Sequence, residues 1–250
     1  MNINILRFDS IGSTNDEAAR QARLGVDEGL CVIAREQTAG RGRHGRTWTS
    51  DPDAGLYFSI VLRPKIEGRY LSLVTLMAGI AVHDALKEVG LKPDIKWVND
   101  VLVNERKISG ILAETVETPI GLAVIVGIGI NLTSRNFTEE LADIATSITA
   151  ETGKKITADE MAELLTKYLT YFYDILSEAS GPAEIIECWR LRSTFFEGKR
   201  VRVTISGEML EGTTEGLEEN GALRLRTTEG KLTIVQTGDV ERLRADKSKH

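Results

Sequence analysis

The sequence predicts an α/β fold of the α+β kind in residues 1–196, followed by a small β-barrel domain in residues 197–250. Short β-prone runs bounded by turn residues alternate with two long stretches whose apolar residues repeat at helical spacing. After residue 197 the runs become short and evenly spaced, with glycine turns between them, as in all-β domains. A chain of 250 residues is long enough to bury the cores of one large and one small domain.

The predicted strands of the larger domain are apolar enough to be buried in a sheet. They cover residues 32–34, 57–62, 95–98, 101–103, 108–113 and 122–130. Residues 71–89 carry apolar side chains around most of a helix that stops at Gly90, so this helix is predicted to be buried. Thr157 and Glu160 form a capping-box pattern at the start of a second, amphipathic helix. The strands predicted for the small domain are 200–205, 208–217, 222–227 and 231–235.

The composition argues against several classes of protein. Lys and Arg total 31 against 37 Asp and Glu, so the net charge of −6 repels nucleic acid. Residues 198–250 carry ten basic and nine acidic side chains, which is not the balance of a basic nucleic-acid module. The longest apolar stretch, residues 120–130, contains three glycines and is too short to span a bilayer.

The cysteines and histidines limit the chemistry further. Cys31 and Cys188 lie in apolar contexts far apart in the sequence, and the three histidines do not have the spacing of zinc ligands. Residues 1–12 lack the basic start and the apolar run of a signal peptide. We therefore expect a cytoplasmic protein that binds neither DNA nor a membrane.

Residues 40–46, Gly-Arg-Gly-Arg-His-Gly-Arg, are the most informative segment. Glycine allows a loop to approach a ligand closely, and each guanidinium offers a planar, permanently charged fork to a carboxylate or a phosphate. The segment therefore indicates a loop that closes over a small anion. The alternatives are a flexible basic surface loop and an RNA contact of the arginine-glycine kind.

Polar or aromatic residues flank this loop on both sides. Ser13, Thr14 and Asn15 open a predicted helix, where they either cap its N-terminus or bind a polar ligand group. Gln37 ends the strand before the loop, at the surface or against a ligand. Trp48 follows the loop, either as a core residue or as the wall of a ligand pocket.

A third cluster lies on a predicted β-hairpin. Asn99 and Asp100 could form an ordinary turn, and Lys107 could be an ordinary exposed lysine. However, Gly110 inside the next strand indicates a close backbone approach, and the hairpin would present Lys107 towards it. Asn131 follows the run Gly-Ile-Gly-Ile, where it could cap a strand end or reach a ligand. As a phosphate motif this run is weak, because no helix signal follows it.

In this order and spacing, the clusters closely resemble those of biotin protein ligases, the enzymes that attach biotin to a lysine of biotin-dependent carboxylases. The resemblance covers residues 8–245. Residues 40–46 resemble the family's biotin and adenylate loop, residues 96–114 its Lys-Trp-Pro-Asn-Asp run and catalytic lysine, and residues 127–131 its Gly-x-Gly-x-Asn signature. Val98 departs from this pattern, since the family usually has proline there. The resemblance implies a class II synthetase-like catalytic domain with a mixed sheet and a C-terminal SH3-like barrel.

The resemblance further implies an ATP-dependent ligase that activates biotin as biotinyl-5′-AMP, with Mg²⁺, and transfers it to a lysine of a biotin carboxyl carrier protein. The matching catalytic positions are Lys107, Arg41 and Arg43. The matching biotin-binding positions are Ser13, Thr14, Asn15, Gln37, Arg41, Gly42, Arg43, Lys107 and Gly110. The matching ATP-binding positions are Arg43, Trp48, Asn99, Asp100, Lys107 and Asn131, with Asp100 as the candidate Mg²⁺ ligand.

The resemblance is to family members without the DNA-binding extension, because Ser13 already lies near the N-terminus, and a repressor role is not expected. A homodimer is compatible with it. One rival interpretation is a lipoate- or octanoate-attaching relative, whose thioester route would need a presented cysteine, whereas Cys31 and Cys188 lie in apolar runs. The other is an RNA-binding module, which the acidic balance and the few aromatic residues near the loop disfavour.

Overall fold

A seven-stranded mixed sheet is the largest element of the structure, a computed structural model that describes residues 1–135, 137–205 and 208–242. Its strands are β1 (Asn4–Ile11), β2 (Leu30–Gln37), β3 (Gly55–Leu62), β4 (Pro93–Lys96), β5 (Asp100–Val103), β6 (Arg106–Thr118) and β7 (Gly121–Asn131). They lie in the order β1-β2-β3-β7-β6-β5-β4. β1 and β2 run parallel, and the other neighbouring strands run antiparallel.

Helices cover both faces of this sheet. They are α1 (Thr14–Arg23), α2 (Leu73–Glu88), α3 (Glu139–Ile144), α4 (Ile148–Thr152), α5 (Ala158–Leu176) and α6 (Gly181–Arg190). α2, α5 and α6 pack over a large apolar core on one face, and α1 packs over a smaller core on the other. No helix in the described part of the chain is long and apolar enough to cross a membrane.

The central strands place the candidate site on the α1 face. β3 is buried along its whole length because helices cover it on both sides. Side chains alternate along a strand, so Ser59 and Val61 face α1 while their neighbours face the large core. In β7 the same alternation brings Gly127, Gly129 and Asn131 to the α1 face. The sheet therefore carries almost no side-chain bulk where β7 passes the N-terminus of α1.

A separate five-stranded antiparallel sheet follows. Its strands are β8 (Glu197–Ile205), β9 (Glu208–Leu217), β10 (Leu223–Thr227), β11 (Leu232–Val235) and β12 (Asp239–Arg242), in the order β11-β10-β9-β8-β12. Its buried side chains join the large core. The indole N–H of Trp97 donates a hydrogen bond of 2.9 Å to the carbonyl oxygen of Gly221, which ties this sheet to the larger one.

The structure confirms the predicted mixture of a mixed-sheet α/β part and a C-terminal all-β part. β8 begins where the sequence analysis places its second domain, although the division at 196/197 stays a prediction. Residues 243–250 of that domain lie outside the described residues. The capping box of Thr157 and Glu160 is present at the start of α5. Closure of the small sheet into an SH3-like barrel also stays a prediction.

The sequence analysis missed several elements, which have weak local patterns. β1 is an edge strand with mixed polar and apolar residues, and its burial alternates irregularly. α3 and α4 contain only six and five residues, too few for a helical period to show. β4 ends at Lys96, so Trp97 and Val98, predicted to continue the strand, lie in the connection to β5.

Candidate active site

The predicted site residues line a cleft on the α1 face of the sheet. The cleft contains about 800 Å³ of space, including its open mouth. Its lining includes every site residue predicted from the sequence except Asn131: Ser13, Thr14, Asn15, Gln37, Arg41, Gly42, Arg43, Trp48, Asn99, Asp100, Lys107 and Gly110. Segments that are more than 90 positions apart in the sequence thus meet at one place.

Glycines of β6 and β7 form the floor of this cleft. A Cβ atom at Gly127 would lie 2.2 Å from Oδ1 of Asn15, and one at Gly129 would lie 2.4 Å from Cε2 of Trp48. A Cβ atom at Gly110 would lie 3.0 Å from Cε of Lys107. The Gly-x-Gly run is therefore a steric requirement, because any larger residue would displace a side chain that lines the cleft.

One end of the cleft is a neutral hydrogen-bond network. The backbone N–H and the hydroxyl of Thr14 both donate to Oε1 of Gln37, at 2.8 and 3.1 Å. The amide of Gln37 in turn donates to Oγ of Ser50 at 2.8 Å. This network fixes the orientation of the Gln37 amide, which lies between the loop and the start of α1.

The capping interpretation of Ser13 and Thr14 is wrong. Ser13 is the N-cap residue of α1 by its backbone conformation, but its side chain makes no capping hydrogen bond. The Thr14 hydroxyl is engaged with Gln37 instead, because a strand end lies within its reach. Ser13 and Thr14 are each only 3% exposed and both line the cleft, so neither hydroxyl faces bulk solvent.

Two residues that the sequence analysis missed complete this end. The Ser59 hydroxyl lies 2.8 Å from Oγ1 of Thr14 and 2.7 Å from Oδ1 of Asn15. The Asn15 amide donates at 2.7 Å to Oε2 of Glu114, a carboxylate that borders the neutral network and is paired with Arg41 at 3.1 Å. Ser59 could have been recognised from the sequence, because it is a small polar residue inside the otherwise apolar and aromatic run of β3. Glu114 carries no such signal, because only the fold brings it to Asn15.

The other end of the cleft is charged. Nζ of Lys107 lies 2.7 Å from Oδ1 of Asp100, and Nζ of Lys96 lies 2.8 Å from Oδ2. Burial alone would raise the pKa of Asp100, but the positive charges of Lys107 and Lys96 outweigh it and hold this pKa below its usual value. Asp100 is therefore ionised at neutral pH, and two cations share one carboxylate.

This arrangement does not suit Asp100 as a direct Mg²⁺ ligand. Each of its oxygens already accepts from an ammonium group, which a metal ion would have to displace. Within residues 1–135, 137–205 and 208–242, no group of three or more His, Cys, Asp or Glu side chains could hold a metal ion. The residues present therefore do not fit a protein-held magnesium centre.

The 40–46 loop folds back on itself beside the charged end. Arg41 and Thr47 form a β-bridge, and the Gly42 N–H donates to the Arg46 carbonyl at 2.7 Å. His44 and Gly45 have positive φ values of 54° and 73°, which glycine adopts freely. The loop is thus a tight hairpin whose arginines point in different directions.

Arg41 and Arg43 have different surroundings. Arg41 pairs with Asp16 at 2.6 Å and with Glu114 at 3.1 Å, and its side chain is 44% exposed. Arg43 donates to Oδ1 of Asn99 at 3.1 Å and is only 18% exposed. Burial lowers the pKa of Arg43, although nearby carboxylates oppose this shift. Arg43 is thus the loop cation with the least competition from water.

A second cavity of about 770 Å³ adjoins the cleft and contains Asn131. The amide of Asn131 donates to the Thr146 carbonyl at 3.0 Å, so its oxygen can face the cavity. Trp48 and Lys107 line both cavities, with Nζ of Lys107 at 5.3 Å from the centre of the Trp48 ring. Trp48 is thus a wall and not a core residue, and its buried indole N–H has no hydrogen-bond partner among the described residues.

Comparisons with known proteins decide the family. Residues 8–131 match the Biotin/lipoate A/B protein ligase family, and residues 197–243 match the Biotin protein ligase C terminal domain. The chain is 33% identical over 246 residues to the Bifunctional ligase/repressor BirA of Bacillus subtilis, covering 96% of this chain and 74% of that protein. The chain belongs to the biotin protein ligase family.

Two further relatives agree with this assignment. A Biotin–[acetyl-CoA-carboxylase] ligase of Paracoccus denitrificans is 34% identical over 229 residues, which cover 89% of this chain and 94% of that protein. A biotin protein ligase of Aquifex aeolicus, solved in complex with biotin and ATP, superposes with a TM-score of 0.83 at 31% identity and covers 97% of this chain and 99% of that one. The match to the C-terminal domain of biotin ligases favours that branch over a lipoate-attaching relative, and the family assignment favours an enzyme over an RNA-binding module.

Proposed function

We propose that this chain is an ATP-dependent ligase that activates biotin as biotinyl-5′-AMP and transfers it to a lysine of a biotin carboxyl carrier protein. One observation carries the proposal: Lys107 lines two adjoining cavities. One is the cleft, with its neutral and its charged end, and the other contains Asn131. Two different substrates can therefore meet at a single cation. The Aquifex aeolicus relative binds biotin and ATP together, which supports this pairing.

We assign biotin to the glycine-floored cleft. The buried groups of Ser13, Thr14 and Asn15 and the half-buried amide of Gln37 can bind the polar ring atoms of biotin. The carboxylate then extends towards Lys107 and Arg43. The nucleoside of ATP occupies the second cavity beside Trp48 and Asn131. Its phosphates extend past Lys107 into the charged end of the cleft, which Arg43, Asn99 and Asp100 line. These contacts remain proposals that the positions of the residues support.

The first chemical step brings two anions together. A carboxylate oxygen of biotin bonds to the α-phosphorus of ATP, the bond from that phosphorus to the bridging oxygen breaks, and pyrophosphate leaves. Two unit charges about 4 Å apart in an effective dielectric near 20 repel by roughly 4 kcal/mol. Without counter-charges, this repulsion would slow the reaction by about three powers of ten. Lys107 and Arg43 are the cations that face this position, so catalysis rests on positioning and electrostatic stabilisation.

The second step requires no nucleophile from this chain. The amine of the acceptor lysine attacks the acyl carbon of the adenylate, AMP leaves, and an amide forms. Cys31 plays no part, because its thiol is buried and burial raises its pKa to about 12. We propose that Mg²⁺ arrives with the ATP phosphates and its bound waters, which is its usual mode of binding to nucleotides.

The name of the Paracoccus denitrificans relative supports an acyl acceptor in a biotin-dependent carboxylase. A cytoplasmic location also remains our proposal, and the use of ATP and the two free cysteines support it. The expectations of a homodimer and of no DNA binding stay predictions.

Measurement of pyrophosphate release distinguishes a biotin ligase from a lipoate- or octanoate-attaching enzyme. The wild-type chain with ATP and Mg²⁺ should release about one pyrophosphate per site when biotin is added, and lipoate or octanoate should give much less. Mass spectrometry should find biotinyl-5′-AMP in the same mixture. A covalent acyl-cysteine without any adenylate, or equal release with lipoate, would contradict the proposal.

A further inference from the structure

A residue of the five-stranded sheet lies directly in the cleft. Asp239, the first residue of β12, lines the cleft, and its side chain is 25% exposed. Three side chains of the 40–46 loop converge on it. Nη2 of Arg46 forms a salt bridge with Asp239, while Nη1 of Arg43 lies 3.8 Å and Nε2 of His44 lies 4.0 Å from its Oδ1.

The residues before Asp239 also bind the loop. Arg43 donates to the carbonyl oxygen of Gly238 and to the hydroxyl of Thr237, each at 3.2 Å. A loop with three glycines loses much conformational freedom when it orders, so contacts of this kind are needed to hold it in one place. The loop is consequently held by contacts on two sides. On one side Arg41 binds Asp16 and Glu114. On the other side Arg43 and Arg46 bind residues of the five-stranded sheet and of the turn before β12.

We propose that Asp239 is a positioning residue that latches the 40–46 loop shut and so retains the finished adenylate. This inference rests on the proposed function. A bound adenylate leaves only when the loop opens, and opening must separate Arg43 and Arg46 from Asp239. Formation of the adenylate depends less on the latch. Lys107 pairs with Asp100 and has no described contact with Asp239, and Arg43 keeps its hydrogen bonds to Asn99 and to the carbonyl oxygen of Gly238 when the charge of Asp239 is removed.

Release of the adenylate is the direct test. Radiolabelled biotinyl-5′-AMP is formed in the full chain, and its escape is followed by filtration and by biotin transfer to albumin. Asp239→Asn keeps the shape of the side chain but loses its charge, and it should speed release by about tenfold, the effect of one partly desolvated ion pair. Single-turnover formation with saturating biotin and ATP should slow by less than about threefold, as expected when the change falls mainly on dissociation.

Three further variants control this test. Asp239→Glu should keep release within about twofold of the wild type, because the charge remains. Arg46→Gln removes the loop partner of the Arg46–Asp239 salt bridge and leaves the five-stranded sheet unchanged. It should therefore speed adenylate release in part, even if Asp239→Asn folds poorly. Glu211→Gln removes a carboxylate of the same sheet that pairs with Arg202 at 2.7 Å, away from the loop, and should leave release unchanged.

Proteolysis of the ligand-free chain supplies a test that does not depend on biotin chemistry. Trypsin should cleave within residues 40–46 several-fold faster in Asp239→Asn than in the wild type, and no faster in Glu211→Gln. Equal cleavage of the wild type and Asp239→Asn would overturn the latch, as would unchanged adenylate release. A wild-type chain that forms no adenylate but shows the cleavage difference would contradict the proposed function alone.

Discussion

The two ends of the cleft differ in charge, in burial and in the elements that carry them. The neutral end is built by α1, β2 and β3, whose buried hydroxyls and amides are already hydrogen-bonded to one another. The charged end is built by the β5–β6 hairpin and the 40–46 loop, where cations outnumber the carboxylate they share. A preorganised neutral network favours the recognition of one ligand shape, and an excess of cations favours the assembly of anions.

The largest effect is expected at the charged end. Lys107→Ala should lower the single-turnover rate of adenylate formation by about two to three powers of ten, as for the loss of one preorganised electrostatic group. Lys107→Arg should not restore the rate fully, because a planar fork and a compact ammonium occupy different spaces. Quenched-flow measurement at saturating biotin checks this, and a rate near that of the wild type in the alanine variant would show that Lys107 only helps to bind biotin.

A substitution in the floor of the neutral end should affect binding. Gly127→Ala places a methyl group 2.2 Å from Oδ1 of Asn15, so Asn15 must move. We expect biotin affinity to fall by about 10- to 100-fold, in line with about 1–3 kcal/mol for overpacking. Gly12→Ala is the matched control, because its added Cβ would have no atom within 4 Å. Isothermal titration with biotin compares the two, and equal affinities would disprove the assigned role of the floor.

The stability that the charged end contributes should depend on pH. Asp100→Asn leaves two ammonium groups beside a neutral amide and should destabilise the fold by about 3 kcal/mol at pH 7. Because the pKa of Asp100 is lowered in the folded state, its contribution is present above the ordinary carboxyl pKa and is lost as pH falls through the lowered value. Urea unfolding of the wild type and of Asp100→Asn between pH 7 and 3 should show that the difference between their free energies of unfolding becomes smaller as the pH falls. A difference that does not change with pH would contradict the ion-pair assignment.

The smallest effect is expected at Ser59, which supports the neutral end without lining the cleft. Ser59→Ala removes the hydroxyl that lies between Thr14 and Asn15. Loss of one hydrogen bond costs about 0.5–1.5 kcal/mol, so biotin affinity should fall by about two- to tenfold. Fluorescence titration with biotin measures the affinity of Ser59→Ala and of the wild type. A loss as large as that of Gly127→Ala would mean that the network is more cooperative than pairwise contacts suggest.

The sequence predicts those parts of the fold and of the cleft whose signal is local. α2 and α5 follow from their helical periodicity. The predicted approach of Lys107 to Gly110 is also present, although both residues lie on β6 and a register shift in its pairing with β5 brings them to one side. Glu114 and Asp239 carry no such signal, because tertiary contacts alone bring them to Asn15 and Arg43. The capping error at Ser13 and Thr14 has the same origin, since a capping pattern cannot show that a strand end competes for the hydroxyl.

The separation of the two ends is tested most directly by one experiment on two variants. Thr14→Val removes the hydroxyl that donates to Gln37, and Lys107→Ala removes the cation between the cavities. Single-turnover adenylate formation is measured for each variant across a biotin titration at saturating ATP. Thr14→Val should need about tenfold more biotin and then reach nearly the wild-type rate, whereas Lys107→Ala should stay about two to three powers of ten slower at every biotin concentration. A saturated rate for Thr14→Val as low as that of Lys107→Ala would contradict the division of the cleft into a binding end and a chemical end.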